Sequence, residues 1–257
     1  MKIAVCISGE MRSFESEMVR NGFKYISDLN PDIFVSTWLH TGFSYNEKRD
    51  THILDKRHDV DLSLIERIKS SYNNIKSIEV EDYDDWLLNL DPLIKNIMSG
   101  KLIGGEAITA PPQLYKMYRC NQLKSKYERE HNFKYDVVIR VRPDLVYLDS
   151  IDFSNINSLN HINFGIPGAY WANRIFDIFF YSNSENMDKI CDTWNNLIVN
   201  INDSFENGLD KKDCCRLLYV SALRNNIEVN DLKNRICEVY RNESHTDFMN
   251  RIKWLNG

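Results

Sequence analysis

The sequence YDVVIRVRPD, residues 135–144, contains the most strand-like segment of the chain, and the prediction of the fold starts from it. Residues 137–141 are β-branched apart from Arg140, and β-branched side chains favour extended backbone. Pro143 ends the segment, since proline has no backbone N–H to donate to a neighbouring strand. We therefore predict a buried strand over residues 137–141, followed by an acidic turn at Asp144.

Strands and helices alternate on the amino-terminal side of this segment. The apolar runs 2–7 and 32–37 are typical of strands buried on both faces, and residues 14–29 between them have helical character. A third strand is predicted over residues 75–80, and apolar side chains recur at helical spacing over residues 111–131. This order is that of βαβ units, so we predict an α/β fold whose first half is Rossmann-like with a mostly parallel central sheet.

The carboxyl-terminal side has a mixed pattern. Two strands and two helices are predicted there, over residues 162–166, 176–181, 184–199 and 213–225. Residues 46–62 carry many charges without apolar spacing, which predicts a surface loop. We expect one domain over residues 1–257, with a nucleotide-binding half (1–146) and a mixed acceptor-side half (147–257).

Composition excludes several classes of function. The chain has 257 residues, 43% hydrophobic and 27% charged, as expected for a globular protein with one large core. Its net charge is −5 with scattered basic residues, so we expect no nucleic-acid partner. The six cysteines form no C-x-x-C pair, which predicts reduced thiols rather than a zinc site. The apolar start is interrupted at Ser8 and no run reaches membrane-span length, so we expect a cytoplasmic protein.

The turn after the first predicted strand, Ser8-Gly9-Glu10-Met11-Arg12, is the first candidate site. Ligands of open parallel sheets bind beyond the carboxyl ends of the strands. Gly9 permits close approach of the backbone to a ligand, a following helix start would offer N–H groups, and Arg12 adds a positive charge. These features favour a nucleotide site. The alternative is an ordinary strand-to-helix turn with a surface arginine.

The turn after residues 137–141 is the second candidate site. A carboxylate at Asp144 can hold a hard divalent cation, and Arg140 or Arg142 can neutralise the remaining charge of a diphosphate. A guanidinium at Arg140, inside an apolar strand, is costly to bury unless it has a partner. The alternative is a structural arginine–aspartate pair that caps the strand end.

Four stretches of the sequence together carry a family resemblance: KIAVCISGEMR, DIFVSTW, QLYKMYRCNQL and YDVVIRVRPDLVY. They resemble a family of bacterial and viral GT-A type glycosyltransferases that make capsule, lipopolysaccharide or other surface glycans. The resemblance covers most of the chain. It implies a GT-A-like fold, a nucleotide-sugar donor, a glycan or lipid-linked saccharide acceptor, and a divalent cation, Mn²⁺ or Mg²⁺.

The resemblance assigns the S-G-x-x-R segment to the nucleotide and places R-x-R-x-D where relatives have the metal-binding D-x-D motif. The residues assigned to the donor in this way are Ser8, Gly9, Arg12, Arg140, Arg142 and Asp144. The first acid of D-x-D is an arginine in this chain, and Arg142 could take over part of the cation's charge-neutralising role. Asp144 is the implied metal ligand.

Three further residues are candidates on the acceptor and metal side. The segment RIFDIFFY, residues 174–181, resembles the family's aspartate followed by aromatic residues, which implies that Asp177 takes the acceptor's proton. Asp213 is a second catalytic candidate, although an aspartate before an apolar helix is also a natural N-cap. GT-A enzymes often bring a late histidine to the metal, which implies His245 as a ligand. The alternatives are a cap at Asp177 and a solvated surface histidine.

Two other functions stay open alongside sugar transfer. A sugar nucleotidyltransferase would carry a glycine-rich loop with a basic residue after its first strand, and SGEMR is a poor version of that loop. A non-catalytic nucleotide- or glycan-binding domain is also compatible with the missing first acid. Tyr170 and Trp171 could stack against a sugar ring or belong to the core.

Overall fold

The computed structural model describes residues 1–39, 62–100, 110–151, 153, 159–164, 173–206, 213–232, 236–240 and 244–256. The loop predicted over residues 46–62 lies outside the described residues except for Leu62. Tyr170 and Trp171 lie outside them as well.

Strands and helices alternate through the first half of the chain, as the sequence predicts. The strands are β1 (Ile3–Ser8), β2 (Asp32–Trp38), β3 (Ile75–Glu81), β4 (Val137–Val141), β5 (Leu145–Tyr147), β6 (Ile162–Phe164), β7 (Phe179–Ser182), β8 (Val229–Asp231) and β9 (Cys237–Val239). The helices are α1 (Glu17–Gly22), α2 (Lys24–Ser27), α3 (Leu64–Ser71), α4 (Tyr83–Asn89), α5 (Pro92–Met98), α6 (Pro111–Glu130), α7 (Ser184–Cys191), α8 (Leu197–Glu206), α9 (Cys214–Arg224) and α10 (His245–Asn256).

Seven of these strands form one central sheet in the order β3-β2-β1-β4-β7-β6-β8. All neighbouring pairs are parallel except those that involve β7, which runs opposite to both β4 and β6. The remaining two strands, β5 and β9, form a separate antiparallel pair. The protein is therefore an α/β protein with a mostly parallel sheet. β2 and β3 lie on one side of β1, and β4 lies on the other side. The direction in which strands are added to the sheet therefore reverses between β1 and β4.

Both faces of the sheet are covered, which explains why β1 and β4 are apolar almost throughout. Every residue of the two strands is buried. Alternate side chains of β4 enter different cores because successive residues of a strand point to opposite faces. Val137 and Ile139 join the core on one face, and Val138 joins the core beneath α6 on the other. Arg140 is two residues beyond Val138 and therefore points to the face that α6 covers.

A largely buried network of ion pairs and hydrogen bonds connects helix α6 to helix α7. The side chain of Lys124 is fully buried, and its ammonium group lies 2.8 Å from an oxygen of Asp188 and 3.3 Å from one of Glu128. Ser184 donates a 2.6 Å hydrogen bond to Glu128. Burial of these charges is tolerated because each charge has a partner of opposite sign or a hydrogen bond.

Two predicted helices are each divided in the structure. Residues 14–29 contain α1 and α2, with Phe23 between them, and residues 184–199 contain α7 and the start of α8. In the second case the N–H and the hydroxyl of Thr193 both donate to the backbone oxygen of Ile190, three residues earlier. Local bonds of this kind compete with helical backbone pairing, and apolar spacing alone does not report them.

The other predicted elements agree closely with the structure. The strand predicted over residues 137–141 is confirmed as β4, and the helix predicted over residues 111–131 is confirmed as α6. The strand predicted to start at residue 176 starts three residues later, at Phe179. All six cysteines are free and buried. Within the described residues, no helix combines the length and apolarity that crossing a bilayer requires.

Candidate functional site

The two candidate turns meet at one edge of the sheet. β1 and β4 are parallel neighbours, with Ile7 opposite Val141, so the turns that follow them lie side by side. Arg140 connects the turns: its Nε donates a 3.2 Å hydrogen bond to the hydroxyl of Ser8, and its Nη2 donates a 3.4 Å bond to the carbonyl oxygen of Ser8. This is the crevice between β1 and β4 where open α/β sheets bind ligands.

Arg140 is the most unusual residue of this crevice. Its side chain is only 1% exposed, and its Nη1 has no hydrogen-bond partner among the described residues. Burial lowers the pKa of Arg140, and the nearby negative charge of Asp177 opposes that effect. A buried donor without an acceptor costs about 1–3 kcal/mol. Among the described residues, the fold thus leaves one donor of this guanidinium without an acceptor.

Arg142 and Asp144 form a bidentate ion pair directly beyond β4. The Nε and Nη2 of Arg142 donate to the two carboxylate oxygens of Asp144, at 3.0 and 2.6 Å. Asp144 is 1% exposed, and Nη1 of Arg12 lies 3.9 Å from its Oδ2. Burial alone would lower the pKa of Arg142, but the charge and hydrogen bonds of Asp144 raise it. The carboxylate is therefore already neutralised by arginine.

The described residues do not fit a divalent cation at Asp144. Both oxygens of the carboxylate accept hydrogen bonds from Arg142, and hard cations need such oxygens as ligands. His245 begins α10, is exposed, and has its Nδ1 3.0 Å from the sulfur of Met18. Across the described part of the chain, no group of three or more His, Cys, Asp or Glu side chains could hold a metal. The predicted Mn²⁺ or Mg²⁺ stays a prediction, and we assign no chemical step to it.

The turn after β1 leaves room for a ligand beside its backbone. Gly9 has a φ of +116°, a conformation that residues with a Cβ rarely adopt. No described heavy atom lies within 4 Å of the position that a Cβ on Gly9 would occupy. However, α1 begins only at Glu17, so a helix start does not directly follow this turn as the sequence suggested. The positive charge near Gly9 comes from Arg12, which is 3.0 Å from Glu10.

Asp177 lies in the turn before β7 and belongs to the same cluster. Because β7 is antiparallel to β4, its first residues lie at the edge where β4 ends, and the N–H of Arg142 donates a 3.0 Å bond to the oxygen of Ile178. The carboxylate of Asp177 accepts one hydrogen bond from the amide of Gln113 and another from the thiol of Cys215, at 3.3 Å. The structure thus brings Asp177 beside the two arginines.

Gln113 and Cys215 are the site residues that sequence reasoning missed. Gln113 is in the first turn of α6 and Cys215 is in the first turn of α9, so each carries its side chain toward the turn before β7 from a different helix. Gln113 begins the stretch QLYKMYRCNQL, which carries part of the resemblance, but no role was assigned to it, and no motif marks Cys215. Burial raises the pKa of the Cys215 thiol well above its usual value, so it acts as a neutral donor to Asp177.

Asp213 has the capping role that the sequence left as an alternative. Its Oδ1 accepts a 2.9 Å hydrogen bond from the N–H of Cys215 at the start of α9, and its Oδ2 lies 3.0 Å from Nη2 of Arg174. A carboxylate in this position stabilises the helix start. By fixing the start of α9, Asp213 also places the thiol that contacts Asp177.

Neither a protein-family model nor a curated protein sequence matches this chain. The fold and the cluster define an α/β protein with the buried Arg140, the partly buried Arg142 and two carboxylates, those of Asp144 and Asp177, at the reversal point of its sheet. Its function must therefore be argued from those side chains.

Proposed function

We propose that the protein is a GT-A-like glycosyltransferase that moves a sugar from a nucleotide-sugar donor to the hydroxyl of a glycan acceptor. The observation that carries the proposal is the buried Arg140, whose Nη1 lacks a partner among the described residues. It lies in the crevice between β1 and β4, against the glycine turn. A diphosphate has acceptor oxygens and negative charge, so it can accept a hydrogen bond from this unpaired cationic N–H group.

The arginines stabilise the leaving group. When the bond between the anomeric carbon and the diphosphate breaks, its electron pair remains on the diphosphate oxygen, which gains negative charge. Arg140 and Arg12 provide cationic donors at the crevice, and Arg142 is held in place by Asp144. Donors that are fixed before the reaction stabilise developing charge without reorganising, which lowers the barrier.

Asp177 is the residue placed to accept the acceptor's proton. In the transfer step the acceptor oxygen attacks the anomeric carbon while its proton passes to the carboxylate of Asp177. Gln113 and Cys215 hold the two oxygens of this carboxylate, and each oxygen retains a further lone pair for the acceptor. General-base assistance of this type contributes about 10²- to 10⁴-fold to a rate.

A non-catalytic nucleotide-binding domain is the second candidate. It is favoured by one observation, the complete pairing of Asp144 with Arg142 in the place where relatives bind a metal. A sugar nucleotidyltransferase has less support, because the turn after β1 contains a single glycine and no lysine. Turnover of a nucleotide sugar distinguishes the glycosyltransferase from the non-catalytic domain.

The test is a thermal-stability panel of nucleoside diphosphates, each with and without Mn²⁺. At about one hundred times its Kd, a ligand stabilises the native state by about 2.7 kcal/mol, or roughly 5–10 °C in Tm for a chain of this length. We expect one diphosphate to produce this shift and the Arg140→Met variant to lose it. If no diphosphate raises the Tm, the proposal is wrong.

The second step uses the sugar nucleotide that corresponds to the diphosphate selected by the panel. We expect slow hydrolysis of this donor by the unmodified protein, and at least a hundredfold slower hydrolysis by the Asp177→Asn variant with unchanged diphosphate binding. Binding without any hydrolysis or transfer would favour the non-catalytic domain instead.

A further inference from the structure

A second concave site lies beyond the carboxyl end of β3. It is a cavity of about 670 Å³, which is within the size range of small-molecule sites. Two strands, β2 and β1, separate β3 from β4 in the sheet. At about 4.8 Å per strand, the carboxyl ends of β3 and β4 are roughly 14 Å apart, so a ligand here need not contact the diphosphate site.

Aromatic rings form one wall of the cavity. Trp86, Tyr115 and Trp194 all line it, and they come from α4, α6 and the turn after α7. Their ring centroids are 5.4 Å apart for Trp86 and Tyr115, and 5.1 Å apart for Tyr115 and Trp194. Because each ring packs against the others, the wall is already shaped before a ligand arrives. Such rings suit the apolar face of a sugar or an organic cation.

Four carboxylates and the amide of Asn89 form the rest of the polar lining, and three of the four carboxylates have structural partners. Glu81 pairs with the buried Lys116, whose ammonium group also lies 4.0 Å from the ring centre of Trp38. Asp82 accepts hydrogen bonds from N–H groups at the start of α4, and Asp91 accepts one at the start of α5. These three residues are therefore explained by the fold alone.

Asp85 is the fourth carboxylate and lies in the first turn of α4, where an acidic side chain also favours the helix start. It is exposed, and its side chain has no partner among the described residues. It lines the same cavity as Trp86 and Trp194, and none of the described lining residues is lysine or arginine. The cavity therefore combines aromatic faces with net negative charge, which repels a diphosphate and attracts a cation.

We propose that this cavity binds a small ring that carries a positively charged amine, of which an amino sugar is the simplest example. The ammonium group lies against Asp85 and the aromatic wall, where a cation is attracted both by the carboxylate and by the electron-rich ring faces. The carbon face of the sugar ring packs against Trp194. This inference does not depend on the proposed sugar transfer.

The test compares glucosamine with N-acetylglucosamine, which have the same ring but differ in the charge of the nitrogen. Binding is followed by tryptophan fluorescence and by calorimetry at about pH 6, where the free amine is protonated. We expect glucosamine to bind at least fivefold more tightly than N-acetylglucosamine. Because the attraction is between charges near the surface, added salt should weaken glucosamine binding.

Variants locate the binding site. Asp85→Asn keeps the shape of the side chain and removes its charge, so glucosamine binding should weaken about two- to fivefold, as for an exposed charge pair. Asp28→Asn is the matched control, because Asp28 is also exposed but lies at the end of α2. Its glucosamine affinity should equal that of the unmodified protein. Nucleoside diphosphate binding, measured on the same samples, should be unchanged in both variants.

Several outcomes would overturn the inference. It is wrong if neither sugar binds, if both bind equally, or if Asp85→Asn binds glucosamine as tightly as Asp28→Asn does. If the unmodified protein binds glucosamine but no nucleoside diphosphate, the proposed function is wrong and the amine site is unaffected.

Discussion

Replacing Arg140 with methionine tests whether this buried arginine serves a ligand or the fold. The change removes two hydrogen bonds to Ser8, which are long, 3.2 and 3.4 Å, and contribute about 1.5 kcal/mol each, the low end of the range for a charged donor. It also removes the unpaired Nη1, which costs the folded state about 1–3 kcal/mol. Methionine is flexible enough to fill the space that the longer side chain leaves. Because these terms largely offset each other, the free energy of unfolding should fall by no more than about 2 kcal/mol.

The same change should strongly weaken nucleotide binding. A hydrogen bond from a charged donor contributes about 1.5–3 kcal/mol, so Arg140→Met should reduce the affinity for the selected nucleoside diphosphate about 10- to 150-fold. Urea denaturation measures the free energy of unfolding, and titration calorimetry measures the affinity, both on the same preparation. An unchanged m-value would show that the denatured state is comparable in the two proteins.

Arg142→Met is the contrasting variant. Among the residues that the structure describes, it leaves the carboxylate of Asp144, which is 1% exposed, with the more distant Arg12 at 3.9 Å as its cationic partner. Breaking a buried ion pair costs about 3–5 kcal/mol, so this variant should lose much more stability than Arg140→Met. If the two variants lose equal stability and Arg140→Met keeps its diphosphate affinity, Arg140 is a structural residue and the reasoning fails.

Two further predictions concern stability. A Cβ on Gly22 would stand 2.7 Å from the backbone nitrogen of Tyr147, so Gly22→Ala should lower the free energy of unfolding by about 1–3 kcal/mol; an unchanged Tm would contradict this contact. Burial alone would raise the pKa of Asp188, but the charge of Lys124 and several hydrogen bonds lower it to about 2 from the usual 3.8. This interaction therefore stabilises the folded state fully above about pH 4, and the stabilisation is lost as the pH falls toward 2. The loss is roughly 1–2 kcal/mol, because partial exposure of the Asp188 side chain weakens the interaction. Urea titrations at pH 5 and pH 2.5 should show this loss, and Asp188→Asn should lack it.

The sequence alone determined the first half of the sheet and the place of the two candidate turns. Runs of β-branched and apolar residues marked β1, β2 and β4, because a strand buried on both faces has no polar side to interrupt the run. The carboxyl ends of parallel strands lie at a common edge of the sheet. The turns that contain Ser8 and Asp144 follow two such strands, and the contact between Arg140 and Ser8 shows that the two turns are close. Arg140 was recognisable because a charge stood inside an apolar strand.

The distant side chains that meet at that edge became known from the folded structure. Asp177 takes its partners from positions 64 and 38 residues away in the chain, and the reversed direction of β7 is what brings it beside Arg142. The cavity beyond β3 likewise joins Trp86 to Trp194. Local patterns report backbone conformation and burial, whereas contacts between remote residues depend on how helices pack on the sheet. For that reason the crevice could be located from the sequence, but its hydrogen-bond partners and the second cavity could not.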